Sequence, residues 1–461
     1  MSLLERIGDH AGRIPAEASP ADREKAKAHL LDSLAMMVAA RRHPLTLQAV
    51  DARLPLDADG KLAFTAGVAC DALGLDDFDE ETRTHPGAVV VAALLGAVVA
   101  SEQPVRGTAV LAGVLAGYEL TCRFGEVAGA SSLHDRGFHP SAVCGVIGAA
   151  AGLSVMLDSD PASAIGLAAS LACGVFELDG RGAVKGLQTG WAASSALAAS
   201  RFAEAGYAPA PSVLDGPKGL LRALGRESSD EQSISAALGR PLRVERVSFK
   251  PYSHFTDLHP ATAALLSLLR DEPTALDEIH EIEVHLGKGI GARLDNAFPP
   301  AAPRLARRCP RFALAAAACR SDLRSVADPL LDAFDQAALE DPRILDLAER
   351  VHWLDDLERD DGSPAAVVTL RRRDGRSLTA TASGYPGDGR RDEHRWGWRE
   401  VAQRTASLLP EEAPELIAVV ERIETLADVR APAAQMAASL GWRRPSPPGS
   451  SDATKKPELI E

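Results

Sequence analysis

The sequence contains runs of small apolar residues that are too uniformly apolar to lie on a protein surface. Two of them read PGAVVVAALLGAVVA, from Pro86, and PSAVCGVIGAAAGLSVML, from Pro140. A helix that is apolar on all sides belongs inside a large helical domain. Because aromatic residues make up only 4% of the chain, we expect close packing of helix backbones. Helical runs are predicted at about 88–101, 107–121, 141–157, 161–174 and 190–206.

The spacing of apolar residues changes after about residue 240. HEIEVHLG, from His280, alternates apolar and polar residues, and VVTLRRRDGRSLTATASG reads as a hairpin that turns at Asp374-Gly375. ERVHWLDD is a further short strand, whereas PRFALAAAACR and PRILDLAER are predicted helices. The predicted fold class is mainly α, with a large all-helical domain and a smaller α+β lid domain. The predicted limits are 1–244 and 399–440 for the helical domain, 245–398 for the lid and 441–461 for a disordered tail.

The composition of the chain limits the kinds of partner that it is expected to bind. The formal net charge of −14 argues against a nucleic-acid partner, since phosphate binding needs a basic surface. The N-terminus has no apolar signal core, and the run from Ala88 to Ala100 is too short to span a bilayer. The six cysteines form no C-x-x-C pair and are predicted to be buried free thiols. We therefore expect a cytoplasmic protein with no membrane partner.

Histidine precedes proline at the start of three apolar runs, at His85, His139 and His259, and once more at His43. The 12 histidines and 30 prolines predict roughly 0.8 such pairs by chance. Proline suits the first turn of a helix, which places the histidine near the N-cap. The positive end of the helix dipole disfavours imidazolium and attracts anions, so a neutral histidine beside a bound carboxylate is expected. The alternative is a histidine that merely caps its helix.

Two other segments carry candidate chemistry. GLDDFDEETRTHPG is rich in carboxylates; a solvated acidic loop is the simpler interpretation and a binuclear metal site the alternative. No histidine pair in that segment has the i, i+4 spacing of a helical ligand set, so no metal is expected. Lys185 lies between apolar helical runs and is expected to be partly buried and able to bind a carboxylate. Nucleotide-binding and serine-hydrolase motifs are absent from the sequence, which favours acid–base chemistry without a cofactor.

From about residue 25 to 430 the chain resembles the MmgE/PrpD family, which includes 2-methylcitrate dehydratases, cis-aconitate decarboxylases and an iminodisuccinate epimerase. The resemblance rests on six segments that occur in the family's order. They are DDFDEETRTHPG, GYELTCRFGE, RGFHPSAVCGVIGAAAG, KGLQTGWAAS, GYAPAPSVLDGPKGLL and FKPYSHFTDLHPA. The resemblance implies a large helical domain with an α+β lid, and a homodimer. It also implies candidate site residues.

Carried over position by position, the resemblance implies two sets of residues. The implied catalytic residues are Asp77, His85, His139, Lys185 and His259. The implied substrate-binding residues are Thr82, His254, Gln188 and Lys250; Gln188 stands where many relatives have histidine. His43 has no match and is expected to be a helix cap.

The resemblance implies a cofactor-independent lyase that acts on a small di- or tricarboxylic acid through proton abstraction alpha to a carboxylate. A 2-methylcitrate dehydratase-like reaction is the expectation. The alternatives are a decarboxylase of the cis-aconitate type and an epimerase or isomerase of an iminodisuccinate-like acid. A non-catalytic polycarboxylate-binding protein is an alternative of another class.

Overall fold

Helices account for most of the first half of the structure, a computed structural model that describes residues 1–179, 185–225, 238–239, 241–294, 297–320, 329–358 and 365–442. The helices of this half are α1 (Leu3–Glu17), α2 (Pro20–Ala39), α3 (Pro44–Asp51), α4 (Ala58–Ala72), α5 (Pro86–Ala100), α6 (Gly107–Ala128), α7 (Ala130–Asp135), α8 (Pro140–Leu157), α9 (Pro161–Ala168), α10 (Lys185–Glu204) and α11 (Leu220–Ala223). The five predicted helical runs correspond to α5, α6, α8, α9 and α10.

Three of the predicted boundaries are wrong. Helix α6 continues to Ala128, seven residues beyond the expected end at 121. Helix α10 begins at Lys185, about five residues before the expected start, so Lys185 lies in its first turn. Helix α9 ends at Ala168 and continues only as a short 3₁₀ turn to Leu171. Beyond that turn, the carbonyl of Gly174 accepts a hydrogen bond from the backbone N–H of His139, at 3.0 Å.

Helices α5 and α8 form the centre of the helical core, as their composition predicts. Nearly every residue of α8 is buried, and the helix packs along α6, α5 and α10. A Cβ at Gly148 would overlap the carbonyl oxygen of Gly117 in α6, so close backbone approach requires glycine there. Helix α8 is long and apolar enough to cross a membrane, but 89% of its most apolar window is buried inside the protein. That burial is typical of a core helix.

The second half builds a mixed sheet covered by helices. Its strands are β1 (Ile279–Gly287), β2 (Val351–Leu357), β3 (Ala366–Arg372) and β4 (Ser377–Ala382), in the order β2-β1-β3-β4. Strands β1 and β2 are parallel and the other neighbours antiparallel, with Ile282 paired to Leu370. Its helices are α12 (His259–Asp271), α13 (Pro303–Ala306), α14 (Pro310–Arg320), α15 (Gln336–Leu339) and α16 (Pro342–Glu349).

The predicted strands and the hairpin turn are confirmed. Ile282, Val284 and Leu286 of β1 are fully buried, whereas the residues between them are half-exposed. Gly375 has a φ of +87°, the left-handed conformation that the turn between β3 and β4 requires. A separate hydrophobic cluster begins at Tyr252 and includes the inner faces of β1, β3 and α12. We call residues 252–382 the lid region.

After the lid region the chain returns to the first core. Helices α17 (Trp398–Leu408) and α18 (Ala413–Glu421) pack against α2, and α19 (Arg430–Ser439) packs against α5. The fold class, mainly α with a smaller α+β part, is confirmed. The domain limits stay a prediction, and the predicted tail from residue 443 onward lies outside the described residues.

The cysteines follow the expectation in part. All six are free thiols, and Cys70, Cys122, Cys144 and Cys309 are buried. The prediction of burial is wrong for Cys173, which is exposed in the turn after α9.

A buried ion pair ties the returning segment to the first domain. Arg404 of α17 is fully buried, pairs with Asp32 of α2 and donates a hydrogen bond to the backbone carbonyl of Lys250. Removing one partner of such a pair leaves an uncompensated charge in a low-dielectric interior.

We expect Arg404→Met to lower the free energy of unfolding by about 3–5 kcal/mol, because Asp32 would stay buried and unpaired. Arg399→Met, at an exposed position of the same helix, should change it by less than about 0.5 kcal/mol. Urea denaturation followed by circular dichroism measures both. Equal stability of the two variants would contradict the assignment, and Asp32→Leu combined with Arg404→Leu should recover part of the loss.

Candidate active site

The carboxylate of Asp77 is saturated by donors from three helices. Its Oδ2 accepts hydrogen bonds from the Tyr118 hydroxyl at 2.6 Å and from Nδ1 of His29 at 3.1 Å. Its Oδ1 accepts from the backbone N–H of Gly87, at 3.0 Å, in the first turn of α5. All of these groups are buried. Asp77 therefore joins α2, α5 and α6 and points into the helical core, away from the lysines described below.

His85 is the N-cap residue of α5, but its ring makes no capping bond. Its Nδ1 lies 2.8 Å from the carbonyl oxygen of Asp77 and 2.9 Å from a carboxylate oxygen of Asp76. Because both oxygens can only accept, we assign the ring proton to Nδ1. The lone pair on Nε2 then faces Nζ of Lys185, 3.5 Å away. Burial lowers the pKa of His85, although the Asp76 carboxylate opposes this shift.

Each of the two lysines near His85 already has a carboxylate partner. Nζ of Lys185 lies 2.5 Å from Oδ1 of Asp71, and Nζ of Lys250 lies 3.1 Å from Oδ1 of Asp76. Burial lowers the pKa of Lys185, but the carboxylates of Asp71 and Asp76 outweigh it and raise that pKa overall. Burial also opposes ionisation of Asp76, yet His85 and Lys250 lower its pKa well below its usual range. Lys185 and Lys250 therefore each form an ion pair with an aspartate.

His139 is the N-cap residue of α8, and neither of its ring nitrogens has a hydrogen-bond partner among the described residues. The nearby Gln188 amide donates to the carbonyl of Val175 at 2.7 Å, while its buried Oε1 has no hydrogen-bond partner within the described part of the chain. Burial, together with the charge of Lys185, lowers the pKa of His139 far below its usual value. A Cβ on Gly174 (φ +143°) would lie 2.7 Å from that Oε1, so the turn packs tightly against both side chains.

His254 and His259 form a pair inside the lid region. Their rings meet edge to face at 4.8 Å, and His259 also lies against the ring of Tyr385. His254 bonds the Phe255 carbonyl and Thr262 through its two nitrogens. The expected N-cap position is wrong for His259, which is the first residue of α12, after the N-cap Leu258. Burial lowers the pKa of His254 to about 4 and that of His259 well below its usual value.

The expectation of a solvated acidic loop is wrong for most of the segment from Asp76 to His85. Asp79 is buried and accepts hydrogen bonds from Thr82 at 2.6 Å and from Arg246 at 2.9 Å. Thr82 also contacts Thr84. A backbone bridge between Phe78 and Ser248 holds the segment against the chain that leads to Lys250. Only Glu81 is exposed. The density of charged residues in the sequence suggested that the segment is exposed to solvent. Pairing with cations and hydroxyl groups instead allows its carboxylates to be buried.

The structure divides the candidate residues into separate groups. His85 contacts both Lys185 and Lys250, and the charge of Lys185 acts on His139. His254 and His259 bond within the lid region; His259 senses the charge of Lys250. Asp77 and Thr82 satisfy their side chains elsewhere.

Sequence reasoning missed Asp71 and Asp76. Asp76 stood next to the chosen aspartate, and Asp71 lies in the last turn of α4, where no motif marked it. Among the residues that the structure describes, no group of three or more His, Cys, Asp or Glu side chains forms a metal site.

Comparison with known proteins assigns the family. The model of the MmgE/PrpD N-terminal domain matches residues 5–233, and that of the MmgE/PrpD C-terminal domain matches residues 252–427. The chain belongs to the MmgE/PrpD family. The family resemblance inferred from the six sequence segments is thereby confirmed.

Relatives in this family carry names that point to lyases. The chain is 26% identical to a cis-aconitate decarboxylase-like protein, oryM, of Aspergillus oryzae, over 90% of this chain and 92% of that protein. It is 28% identical to a cis-aconitate decarboxylase of Aspergillus terreus, over 58% of this chain. That second match spans 60% of the length of the Aspergillus terreus protein.

The low pKa of His254 predicts an acid-sensitive fold. Between pH 6 and 4 the unfolded chain binds a proton at this position and the folded chain does not, so stability falls as pH falls. We expect His254→Gln to reduce the slope of unfolding free energy against pH by up to about 1.4 kcal/mol per pH unit in that window. Denaturation series at several pH values measure the slope.

His285→Gln is the matched control for this titration. His285 is about one-quarter exposed, and hydrogen bonds with Glu283 and Asp356 raise its pKa. Because both folded and unfolded states are largely protonated at His285 between pH 5 and 6, the slope in that part of the window should change much less than in His254→Gln. If the slope of unfolding free energy against pH is the same in His254→Gln and in the wild type, His254 binds a proton in the folded state as readily as in the unfolded chain, and the prediction is wrong.

Proposed function

We propose that this protein is a cofactor-independent lyase that acts on a small di- or tricarboxylic acid. The observation that carries the proposal is the neutral His85, whose Nε2 lone pair faces the ammonium of Lys185 at 3.5 Å. A buried proton acceptor beside a partly buried cation suits the formation of a carbanion next to a carboxylate. His139, whose ring nitrogens have no hydrogen-bond partner among the residues that the structure describes, supplies a second site for a proton.

The chemistry requires charge stabilisation more than a strong nucleophile. Breaking a C–H or a C–CO₂ bond alpha or vinylogous to a carboxylate leaves an electron pair that spreads onto the carboxylate oxygens as an enediolate. Lys185 is the half-exposed cation of the cluster and is proposed to bind those oxygens, where its charge stabilises the intermediate. Lys250 and Oε1 of Gln188 are proposed to bind the rest of the acid.

Proton transfer then falls to the two neutral histidines. In an elimination, Nε2 of His85 takes the alpha proton and becomes an imidazolium, which then gives that proton to the departing hydroxyl group so that water leaves. His139 donates a hydrogen bond to the departing oxygen. In a decarboxylation, CO₂ departs with no proton removed; a histidine that has first taken a proton from solvent then gives it to the carbanion and returns to its neutral form. Asp77 is proposed to position α5. The lid histidines His254 and His259 are proposed to shape the pocket, because both nitrogens of His254 and Nε2 of His259 bond within the lid region.

The names of the relatives favour decarboxylation of a cis-aconitate-like acid as the first reaction to test. Dehydration of a 2-methylcitrate-like acid and epimerisation of an iminodisuccinate-like acid use the same intermediate and are outcomes of the same assay. A polycarboxylate-binding protein without activity is the remaining outcome. A homodimer stays a prediction from the family resemblance, and a cytoplasmic location stays a prediction from the composition of the chain.

Replacing Lys185 or His139 with alanine should lower turnover at least about a hundredfold, because each removes a group that touches the reacting atoms. Proton NMR of cis-aconitate, 2-methylcitrate and related acids in deuterated buffer measures loss of CO₂, loss of water and deuterium incorporation together. Thermal unfolding of each variant verifies that it folds.

His43→Ala is the matched control, because His43 also precedes proline at a helix start. Its Nδ1 accepts the backbone N–H of Leu45 at 3.3 Å, which confirms the expected cap. The variant should lose about 1 kcal/mol of stability and keep its turnover. Full activity in both Lys185→Ala and His139→Ala would refute the assignment of roles. Binding of these acids without any turnover or exchange would refute the enzyme and favour the binding protein.

A further inference from the structure

Two neighbouring aspartates use their carboxylates in opposite directions. Asp77 faces the helical core, whereas the carboxylate of Asp76 lies between Nδ1 of His85, at 2.9 Å, and Nζ of Lys250, at 3.1 Å. Asp76 is only 1% exposed. Asp76 therefore links His85, the N-cap residue of α5, to the segment that leads into the lid region.

Nδ1 of His85 is contested by two groups of opposite hydrogen-bonding character. The Asp77 carbonyl, at 2.8 Å, can only accept, which requires a proton on Nδ1. The Lys250 ammonium, at 3.5 Å, can only donate, which requires a lone pair on Nδ1 and moves the ring proton to Nε2. The two contacts select opposite tautomers of the same ring. Asp76 is the group that can decide between them, because it binds Lys250 through one oxygen and approaches Nδ1 with the other.

Charge supplies a second argument for Asp76. If His85 accepts a proton, an imidazolium forms beside Lys185 and Lys250, while His139 lies close enough to sense the same charges. Asp71 faces Lys185, so Asp76 is the carboxylate whose oxygen directly approaches His85. Without it, protonation of His85 would add a third positive charge to a buried cluster.

We propose that Asp76 is a positioning residue: its carboxylate holds the Lys250 ammonium away from Nδ1 of His85 and keeps the tautomer whose Nε2 lone pair faces Lys185. The consequence for catalysis rests on the proposed function, whereas the tautomer itself does not. Asp77, which the family motif singles out, positions the helix, and Asp76 positions the ring proton.

The test reads the tautomer directly in the full-length protein without substrate. With ¹⁵N-labelled histidine, long-range ¹H–¹⁵N correlation spectra distinguish protonated from unprotonated ring nitrogens. The His85 signals are assigned by their absence in His85→Gln. In the wild type we expect Nδ1 protonated and Nε2 unprotonated. In Asp76→Asn we expect Nε2 to become protonated in a major fraction, and in Asp76→Asn combined with Lys250→Met we expect the wild-type pattern to return.

Asp77→Asn is the matched control, since it changes the adjacent carboxylate but leaves the backbone carbonyl that accepts from His85. It should lose stability and keep the wild-type tautomer. An Nε2 proton in the wild type, or an unchanged tautomer in Asp76→Asn, would overturn the proposal. If Asp76→Asn does not fold, the wild-type spectrum and Lys250→Met, which should retain the Nδ1 proton, still decide it.

Kinetics provide a second readout. Provided that a substrate is found, Asp76→Asn should lower kcat about 10- to 100-fold with KM changed less than about threefold, the usual scale for a group that orients a catalytic ligand or base. The acidic limb of its kcat/KM profile should move to lower pH, because His85 becomes harder to protonate. If kcat and the acidic limb of the kcat/KM profile are both unchanged in Asp76→Asn, the proposed effect of Asp76 on catalysis is wrong. Failure of every acid to react would instead refute the proposed function and leave the NMR result standing.

Discussion

The hydrogen bonds to the buried Asp77 carboxylate are the constraint on which the candidate site depends. A carboxylate in an apolar interior is tolerated only when its oxygens are fully bonded. Tyr118, His29 and Gly87 meet that requirement from three different helices. Because Asp77 cannot move without breaking all three bonds, the residues on either side of it are also fixed. Asp76 and Phe78 are thereby held where the chain from Ser248 to Lys250 can pair with them.

Ion pairing explains how the protein accommodates the charges of Lys185 and Lys250 in its interior. Burial of an unpaired ammonium is costly, and each lysine is compensated by its own aspartate. A substrate carboxylate must therefore share Lys185 with Asp71 rather than fill an empty cationic pocket. Lys185 is suited to this because its side chain is about one-fifth exposed and an ammonium has three donors. Burial is the largest cause of the lowered pKa values of His85, His139 and His259. The helix dipole alone therefore does not explain why these histidines are neutral.

The local sequence pattern predicted the helices and strands, whereas the arrangement of the candidate active site depends on tertiary contacts. The alternation in β1 and the Asp374-Gly375 turn depend on neighbours in sequence, so they were readable from the chain. The start of α10 was missed because glycine on either side of Lys185 looked like a loop. Asp76 and Asp77 could not be told apart, because identical side chains at adjacent positions acquire their roles from the helices and lysines that surround them. Asp71 gave no signal because its partner lies 114 positions further along the chain.

The three His-Pro helix starts outside the lid region show when such a histidine is available for chemistry. A helix that begins with proline still presents the N–H of its second residue, and some acceptor must satisfy it. In α3, Nδ1 of His43 accepts a hydrogen bond from the backbone N–H of Leu45, so this ring acts as a helix cap. In α5 the corresponding N–H, that of Gly87, is taken by Asp77 instead, so the ring of His85 is released to face Lys185. The ring of His139 is likewise free of any capping bond. The proline thus sets the position of the histidine, and in α5 the acceptance of the helix N–H by Asp77 leaves the ring of His85 free to transfer a proton.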